Sequence, residues 1–533
     1  MPVERDQEVD FLVIGGGIAG MRAAIELAPA GRVLVTSKGS SFECRSPNAH
    51  AGAAVALGED EEVFLRLHDS LRAGDGLCRE EALRILGEEG PEQIEKLIEW
   101  STHLDRNGTR LAFAPRSELS RSRVLHAHGD STTTAIRRVL IAKAKSLGSI
   151  QVRSRAPSVD LLVCEDQVCG ALYLDQNTGA FKRVRAGRVL LATGGLGQVY
   201  QETTNPPSAS GDGACLALRK GALLGDMEFI QFYPTVLYAK GAPRFLLSED
   251  LRTQGAKLRN IELERFMTRY HEAGEQAPPD VVSRAIMLEM QRCRSEFVYL
   301  DMSRLNAERV KKRFPRIYAA CLEHNIDITA DLVPVSPAAH YAIGGVATDL
   351  HGSTTLKGLY AAGEVAANGL HGANHLASNA LLECLVYGAR AACAMIKGRP
   401  SFDVPKATFR PQAIPVDPRH SPRAITPVDP STLASEARRL MWEHVGTIRS
   451  GREISEAVGR LDALAAAAKA CACGPPHLEA QNLLELAPLI ARCAAAREES
   501  RGVHYRVDFP LKQEALPSLH SYISTNSPVY FAP

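Results

Sequence analysis

A glycine-rich segment near the start of the chain has residue types and spacing that suit ligand binding. Gly15, Gly17 and Gly20 follow residues 10–14, an apolar run of buried-strand length, and a helical pattern then continues to Leu27. Gly15 would permit a tight turn, Gly17 would let the backbone approach a pyrophosphate, and Gly20 would let the helix pack against the strand. The pattern therefore predicts a dinucleotide-binding turn; the alternative is a purely structural glycine turn.

Strands elsewhere in the chain must position this turn. Residues 33–36 form the second apolar run, and residues 189–195 and 359–364 repeat the pattern of a buried strand that ends in glycine. Such widely separated strands predict one α/β nucleotide-binding domain of Rossmann type, interrupted by an insertion with helical patterns near 281–294 and 307–324.

The predicted domains follow from these patterns and from composition. After a proline-rich linker, residues 432–449, 454–472 and 478–499 have helix-forming composition, and we expect them to pack as a bundle that buries their apolar stripes. The predicted nucleotide-binding domain has two parts, 1–226 and 344–398, and a capping domain, 227–343, is inserted between them. The linker then covers 399–430, and a helical domain covers 431–533.

Composition excludes several classes of function. The 533 residues carry 62 Lys and Arg against 61 Asp and Glu, so there is no electrostatic case for binding nucleic acid or an anionic membrane. No secretory signal or membrane-spanning run is present, which predicts a soluble, cytoplasmic protein. The twelve cysteines are expected to be reduced, and Cys471 and Cys473 lack partners at zinc-ligand spacing, so no metal site is predicted.

A series of motifs along the whole chain resembles the L-aspartate oxidase family, which is related to the flavoprotein subunits of succinate dehydrogenase and fumarate reductase. The motifs are DFLVIGGGIAGMRAA, VTSK, LRAGDGLCREEA, LLATGGLG, TTNPPSASGDG, MEFIQFYPT, DVVSRAI, PAAHYAIGGVATD, YAAGEVAANGLHGANHLASNALLECLVYG, MWEHVG and SRGVHYRVDFP. The resemblance implies an α/β fold: a discontinuous Rossmann-like FAD-binding domain with an inserted α+β capping domain and a C-terminal three-helix bundle.

The same resemblance implies an FAD site. Residues 15–20, which include Ile18 and Ala19, would hold the pyrophosphate, and Ser37 and Lys38 the adenosine end. The isoalloxazine ring would be lined by residues 46–53 together with Asp212, Glu364, Ala380 and Leu381. The full set of cofactor residues outside the 15–20 turn is Ser37, Lys38, Ser46, Asn48, Ala49, His50, Ala51, Gly52, Ala192, Thr193, Gly194, Asp212, Glu364, Ser378, Ala380 and Leu381. Relatives with covalent flavin carry a His near the place of Arg45, so the FAD is predicted to be noncovalent.

The chain departs from the family pattern where that family binds a dicarboxylate. Tyr233 stands in place of a His, and Pro279 in place of the Arg that transfers a proton. His375 replaces a carboxylate-binding Arg, and Gln254 replaces a Glu. Ala380 replaces a Ser, and residues 116–122 match the family only loosely. Because proline has no protonatable side chain, and because bidentate carboxylate binding requires Arg, this set of changes favours a different substrate.

The resulting hypothesis is an FAD-dependent enzyme that oxidises the C–N bond of an amino acid or amine by hydride transfer to flavin N5, with dioxygen or another acceptor taking the electrons. Its candidate catalytic residues are His340, Tyr233, His375, Glu118 and Arg284. Three alternatives stay open: a true L-aspartate oxidase that uses Arg284, Arg252 or Arg121, a fumarate-reductase-like enzyme acting on a C–C bond, and a flavoprotein of low activity. The pattern makes no prediction of oligomeric state.

Overall fold

The computed structural model describes residues 7–39, 53–54, 60–114, 124–127, 131–376, 378–411, 429–470, 477–513 and 518–533. Its central element is a seven-stranded mixed sheet, whose strands are Gln7–Ile14, Val33–Thr36, Ile150–Arg153, Ser158–Cys164, Gln167–Asp175, Ala180–Leu191 and Leu359–Ala361. Phe11 to Ile14 are all buried, as expected for a central strand that is covered on both faces.

Five of these strands, all except Ser158–Cys164 and Gln167–Asp175, pair in parallel and end at one edge of the sheet. Ile14 is in register with both Leu191 and Thr36, and Leu191 is in register with Ala361. The strand Leu359–Ala361 thus returns to the sheet after a long insertion, which confirms the predicted discontinuous Rossmann-like fold. The carboxyl ends of parallel strands are where ligands bind in such folds.

Helices cover this sheet and its loops. The first, Ile18–Leu27, packs against Ala380–Lys397 so closely that a Cβ at Gly388 would lie 2.7 Å from the Ala19 carbonyl oxygen. The other helices of this part of the chain are Asp60–Ala73, Glu80–Glu99, Thr132–Lys145 and Asp212–Arg219, with a short 3₁₀ turn at Gly197–Val199. Short strand pairs lie beside them at Ala53–Ala54, Arg106–Asn107, Arg110–Leu111, Phe113–Ala114 and Val124–Leu125.

The insertion folds around a four-stranded antiparallel sheet. In spatial order its strands are Ile230–Leu237, Val333–Ala342, Val298–Asp301 and Lys257–Arg259. Its helices are Asp250–Thr253, Pro279–Cys293, Ala307–Arg313 and Pro315–Leu322, with 3₁₀ turns at Met267–Arg269 and Gly274–Gln276. The helical pattern predicted near 307–324 forms two helices, because Pro315 disfavours helical geometry at Phe314 and begins the second helix.

The C-terminal region contains the three predicted helices, at Pro430–His444, Gly451–Ala470 and Leu478–Ala496. It also contains a hairpin that the sequence patterns above did not predict, formed by His520–Ser524 and Ser527–Ala532. The hairpin joins a sheet with Leu224–Gly225, Gly345–Ala347 and Ala366–Ala367. None of the helices in the described ranges is long and apolar enough to cross a membrane.

One expectation about the cysteines was wrong. Cys164 and Cys169 lie on neighbouring antiparallel strands and are joined by a disulfide, with 5.9 Å between their Cα atoms. The tight connection between the two strands brings these two side chains together. The pair Cys471 and Cys473 lies outside the described residues.

Candidate functional site

The predicted dinucleotide turn lies at the carboxyl edge of the parallel strands. Gly15 has φ +119°, and a Cβ there would lie 2.1 Å from the Ala192 carbonyl oxygen, so only glycine fits. A Cβ on Gly20 would lie 2.0 Å from the Gly15 carbonyl oxygen. These two glycines therefore allow the turn, the first helix and the neighbouring strand to pack closely together.

Gly17 differs from the other two glycines. It precedes the helix Ile18–Leu27 with an ordinary extended backbone, and the nearest described atom to a Cβ there is the Ala192 oxygen at 4.0 Å. Packing within the described chain therefore does not explain a glycine at this position. The first turn of the helix, which includes Ile18 and Ala19, has neither a side-chain cap nor an acidic residue. Its backbone N–H groups thus suit a phosphate, as the resemblance implies.

Lys38 lies at the end of the second parallel strand and contacts three acceptors. Its Nζ lies 2.7 Å from Asp212 Oδ2, 2.7 Å from Ser210 Oγ and 2.8 Å from Glu479 Oε1. Asp212, which is predicted to line the isoalloxazine ring, is thus paired directly with Lys38, which is predicted for the adenosine end. The preceding residue, Ser37, is held by its backbone between neighbouring segments.

Glu364 follows the strand Leu359–Ala361 at the same edge. Its Oε1 accepts a hydrogen bond from the Ala342 N–H at 3.1 Å, and the Gly195 N–H also supports the carboxylate. Burial, only partly offset by these donors, raises the pKa of Glu364 from its ordinary value of 4.5 to about 7. The group is therefore close to its titration point under physiological conditions.

This raised pKa predicts how the flavin-free protein responds to pH. The unfolded chain loses the proton near 4.5 and the folded chain near 7, so the stabilising contribution is full below 4.5 and is lost as pH rises through 7. The variant Glu364→Gln cannot ionise. Between pH 4.5 and pH 8, its free energy of unfolding should gain roughly 3 kcal/mol relative to the parent protein.

Urea denaturation at several pH values measures this difference. Glu308→Gln is a suitable control, because the Glu308 side chain is 89% exposed. A constant difference between Glu364→Gln and the parent across this pH range would show that Glu364 has an ordinary pKa.

Two buried hydroxyls at predicted cofactor positions support the presence of a ligand. Within the described chain, neither Ser378 Oγ nor Thr193 Oγ1 has a hydrogen-bond partner. Buried hydroxyls rarely lack one, because the loss costs about 1–3 kcal/mol each. Thr193 follows the strand that ends at Leu191 and lies between Ala192 and Gly194, and Ser378 lies just before the helix Ala380–Lys397. A ligand rich in hydroxyl and carbonyl groups, as FAD is, would satisfy both.

The start of the helix Ala380–Lys397 offers further donors. Asn379 makes no side-chain cap, so the N–H groups of Ala380 and Leu381 lie at an uncapped helix start. The residues present therefore fit a bound dinucleotide. Of the predicted cofactor residues, six lie outside the described ranges, together with Arg45: Ser46, Asn48, Ala49, His50, Ala51 and Gly52. The catalytic candidate Glu118 also lies outside them.

Tyr233 and His340 lie together on paired strands of the capping sheet. Their rings meet edge to face with centroids 5.4 Å apart, and His340 Nδ1 lies 2.9 Å from Thr204 Oγ1. The Tyr233 hydroxyl accepts a hydrogen bond from the Glu249 N–H at 2.6 Å. Burial lowers the pKa of His340 to about 4, so the imidazole is neutral at physiological pH.

His375 is held within a buried cluster of rings. Its ring stacks on Tyr341 with centroids 3.9 Å apart and an interplanar angle of 7°, and its Nδ1 lies 3.1 Å from Gln231 Oε1. Tyr341 donates a hydrogen bond to Glu383, which also contacts His371. The sequence patterns above did not single out any of these cluster partners, although Gln231 and Tyr341 lie inside quoted motifs.

Arg284 is the fifth catalytic candidate, and its Nη1 contacts two acceptors. It pairs with Asp280 at 3.0 Å, donates to the Gly502 carbonyl at 3.0 Å and lies over the Tyr505 ring. With His375 it lines a cavity of about 570 Å³ where the FAD-binding domain, the capping domain and the C-terminal region meet. The structure thus groups Tyr233 with His340, and Arg284 with His375.

Comparison with known proteins agrees with this geometry. Residues 10–381 match the FAD binding domain family, and residues 434–528 match the fumarate reductase flavoprotein C-term family. The chain is 37% identical to L-aspartate oxidase of Vibrio cholerae, covering 96% of this chain and 97% of that protein. It is 39% identical to L-aspartate oxidase of Streptomyces coelicolor, covering 97% and 91% respectively.

Among solved structures, the FrdA chain of E. coli quinol fumarate reductase superimposes with a TM-score of 0.89 at 25% sequence identity. The superposition covers 99% of this chain and 97% of that one. The similarity to flavoproteins thus extends along nearly the whole chain. This protein is an FAD-dependent oxidoreductase and belongs to the L-aspartate oxidase family within the wider group of succinate dehydrogenase and fumarate reductase flavoproteins.

Proposed function

We propose that the protein uses noncovalent FAD to oxidise the C–N bond of an amino acid or amine other than L-aspartate. The observation that carries this proposal is the contrast between the cofactor edge, whose described residues suit FAD, and the substrate side, where Pro279 and His375 replace cationic groups. When bound, FAD supplies a two-electron acceptor for the hydride that leaves the substrate carbon, and dioxygen or another acceptor later removes the electrons.

Neither Pro279 nor His375 can act as a carboxylate clamp of the Arg type. Pro279 is the first residue of the helix Pro279–Cys293 and carries no donor. The His375 ring lies flat on Tyr341, and its Nδ1 is directed to Gln231. A substrate with two carboxylates close to the reacting carbon would therefore lose bidentate, permanently charged partners at this site.

Two of the three arginines that could bind aspartate already have partners within the described chain. Arg284 is paired with Asp280 and bonded to the Gly502 carbonyl, and Arg252 Nη1 donates to the Glu275 carbonyl at 2.9 Å. The third alternative, Arg121, lies outside the described residues. These contacts weigh against L-aspartate as the substrate.

His340 and Tyr233 are the residues we assign to the substrate amine. A neutral imidazole with its Nδ1 at Thr204 is oriented by that contact, and it can accept a hydrogen bond from the substrate amine. Tyr233 packs against the imidazole edge and fixes its other side. The absence of a protonatable side chain at Pro279 disfavours reduction of a C=C bond, which requires a proton donor.

Anaerobic mixing of the flavin-loaded protein with a panel of amino acids and amines tests the proposal. We expect at least one of them to bleach the flavin within seconds, and L-aspartate to bleach it far more slowly. L-Aspartate oxidase of Vibrio cholerae, assayed in parallel, is the matched control. If L-aspartate bleaches both proteins at similar rates, the proposed change of substrate is wrong.

A further inference from the structure

A cationic cleft lies between the FAD-binding domain and the capping domain. It has a volume of about 540 Å³, and one wall is formed by Arg309, Lys312 and Arg313 of the helix Ala307–Arg313. The remaining described lining residues are Asp105, Asn107, Ala112, Phe113, His126, Asp250, Thr253 and Gln254. We refer to this space as the α-cation cleft.

The three cations share one face of their helix. Arg309, Lys312 and Arg313 are spaced i, i+3 and i+4, which places them on the same side of an α-helix. Arg313 contacts Asp250 Oδ2 at 3.4 Å. Arg309 and Lys312 are exposed, and within the described residues no carboxylate forms an ion pair with either of them. At least two positive charges of this wall are therefore available to a ligand.

The helix dipole explains only part of this arrangement. Cations in the last turn of a helix are favourable at any orientation around the axis, and Lys312 and Arg313 benefit from this. It does not explain why they face a cleft together with Arg309, since like charges at such spacing repel. On the same helix Lys311 is placed differently, over the Tyr318 ring and 4.0 Å from Glu308.

The rest of the cleft suits the body of a small organic molecule. Phe113 is 39% exposed and provides an apolar surface in the same cleft. Thr253 and Gln254 line the same space, and Gln254 is the neutral residue at a position where the family resemblance implies a Glu. Asp105 and Asp250 also line the cleft, but three cations outnumber them.

We propose that the α-cation cleft binds an acidic group of the substrate that is remote from the reacting C–N bond, either a carboxylate or a phosphoryl group. This inference rests on the proposed function and names its substrate class: an amine with a distant anion. Binding energy from a remote group positions the reacting carbon, and Arg and Lys are the residues that bind carboxylate and phosphate oxygens.

Calorimetric titration of the flavin-loaded protein tests this site without requiring turnover. The probes are glutarate and adipate for the carboxylate arm, 3-phosphonopropionate for the phosphoryl arm, and butyrate as a probe with a single charge. We expect the double variant Arg309→Glu/Lys312→Glu to raise the Kd of the probes with two acidic groups at least about tenfold, and Arg309→Ala to raise it less. Lys145→Glu, an exposed change of charge on another helix, is the matched control and should leave Kd unchanged.

The outcomes separate this inference from the proposed function. If the double variant and Lys145→Glu give the same Kd as the parent protein for every probe, the cleft is not an anion site. If an amine with a distant acidic group bleaches the flavin equally fast in the parent protein and the double variant, the inference fails and the proposed function stands. If the probes bind in a manner that depends on Arg309 and Lys312 but no amine bleaches the flavin, the anion site stands and the proposed function fails.

Discussion

Oxidation of L-aspartate should rise at least about a hundredfold in kcat/KM when Tyr233→His, Pro279→Arg and His375→Arg are combined, since a site that lacks polar partners for a substrate discriminates by factors of this size or larger. The triple variant restores at these positions the residue types implied by the family resemblance. Two of the changes introduce permanent charges that can bind the carboxylates in a bidentate manner. The measurement is steady-state turnover of L-aspartate with flavin content checked for each variant.

The backbone can accept these changes to different degrees. Pro279 occupies the first position of its helix, where a new N–H needs no intrahelical partner, so Arg fits without disturbing the helix. His375→Arg must give up the stacking contact with Tyr341, and its effect on the thermal unfolding midpoint should be measured alone. Pro278→Arg places the same charge one residue earlier and is the matched control. A folded, flavin-loaded triple variant no better than Pro278→Arg would show that the missing clamps do not set specificity.

The fold was largely predictable because its signals are local. The strand, glycine turn and helix over residues 7–27 form an uninterrupted pattern, and the strand at Leu359–Ala361 ends in glycine like its neighbour. The terminal hairpin was also visible in principle, because two short apolar segments are separated by Thr525 and Asn526 alone. It was missed because the preceding helical segments dominated the composition of the region.

The site was less predictable because its contacts join distant segments. Lys38 meets acceptors from residues 210, 212 and 479, and no spacing in the sequence indicates that a residue of the C-terminal bundle reaches the cofactor edge. The position of His375 shows the same limit. Motif comparison indicates a shorter and weaker cation, whereas only the structure shows the ring stacked on Tyr341. The identity of a residue thus predicts which chemical group is lost at a position, whereas the contacts of the new side chain are known only from the structure.

Gly17→Val should weaken FAD binding by about a hundredfold or more, equivalent to roughly 2.7 kcal/mol, while the flavin-free protein keeps its fold. The backbone of Gly17 has φ −75° and ψ −172°, which valine adopts readily. A Cβ there approaches described atoms no closer than 4.0 Å, so the added methyl groups would contact a bound pyrophosphate before they contact protein. Fluorescence titration of flavin-free protein with FAD gives the Kd, and thermal unfolding of the same samples gives the stability.

Two other glycine substitutions make this result interpretable. Gly148→Val is the matched control, because a Cβ at Gly148 has no described atom within 4 Å, and both FAD affinity and stability should stay unchanged. Gly15→Ala should lower stability itself, since φ is +119° and the new Cβ would lie 2.1 Å from the Ala192 oxygen. If Gly17→Val lowers the affinity for FAD but leaves the stability of the flavin-free protein unchanged, the ligand must bind at this turn. Unchanged FAD affinity in Gly17→Val would place the pyrophosphate away from this turn and remove the structural basis for the proposed cofactor site.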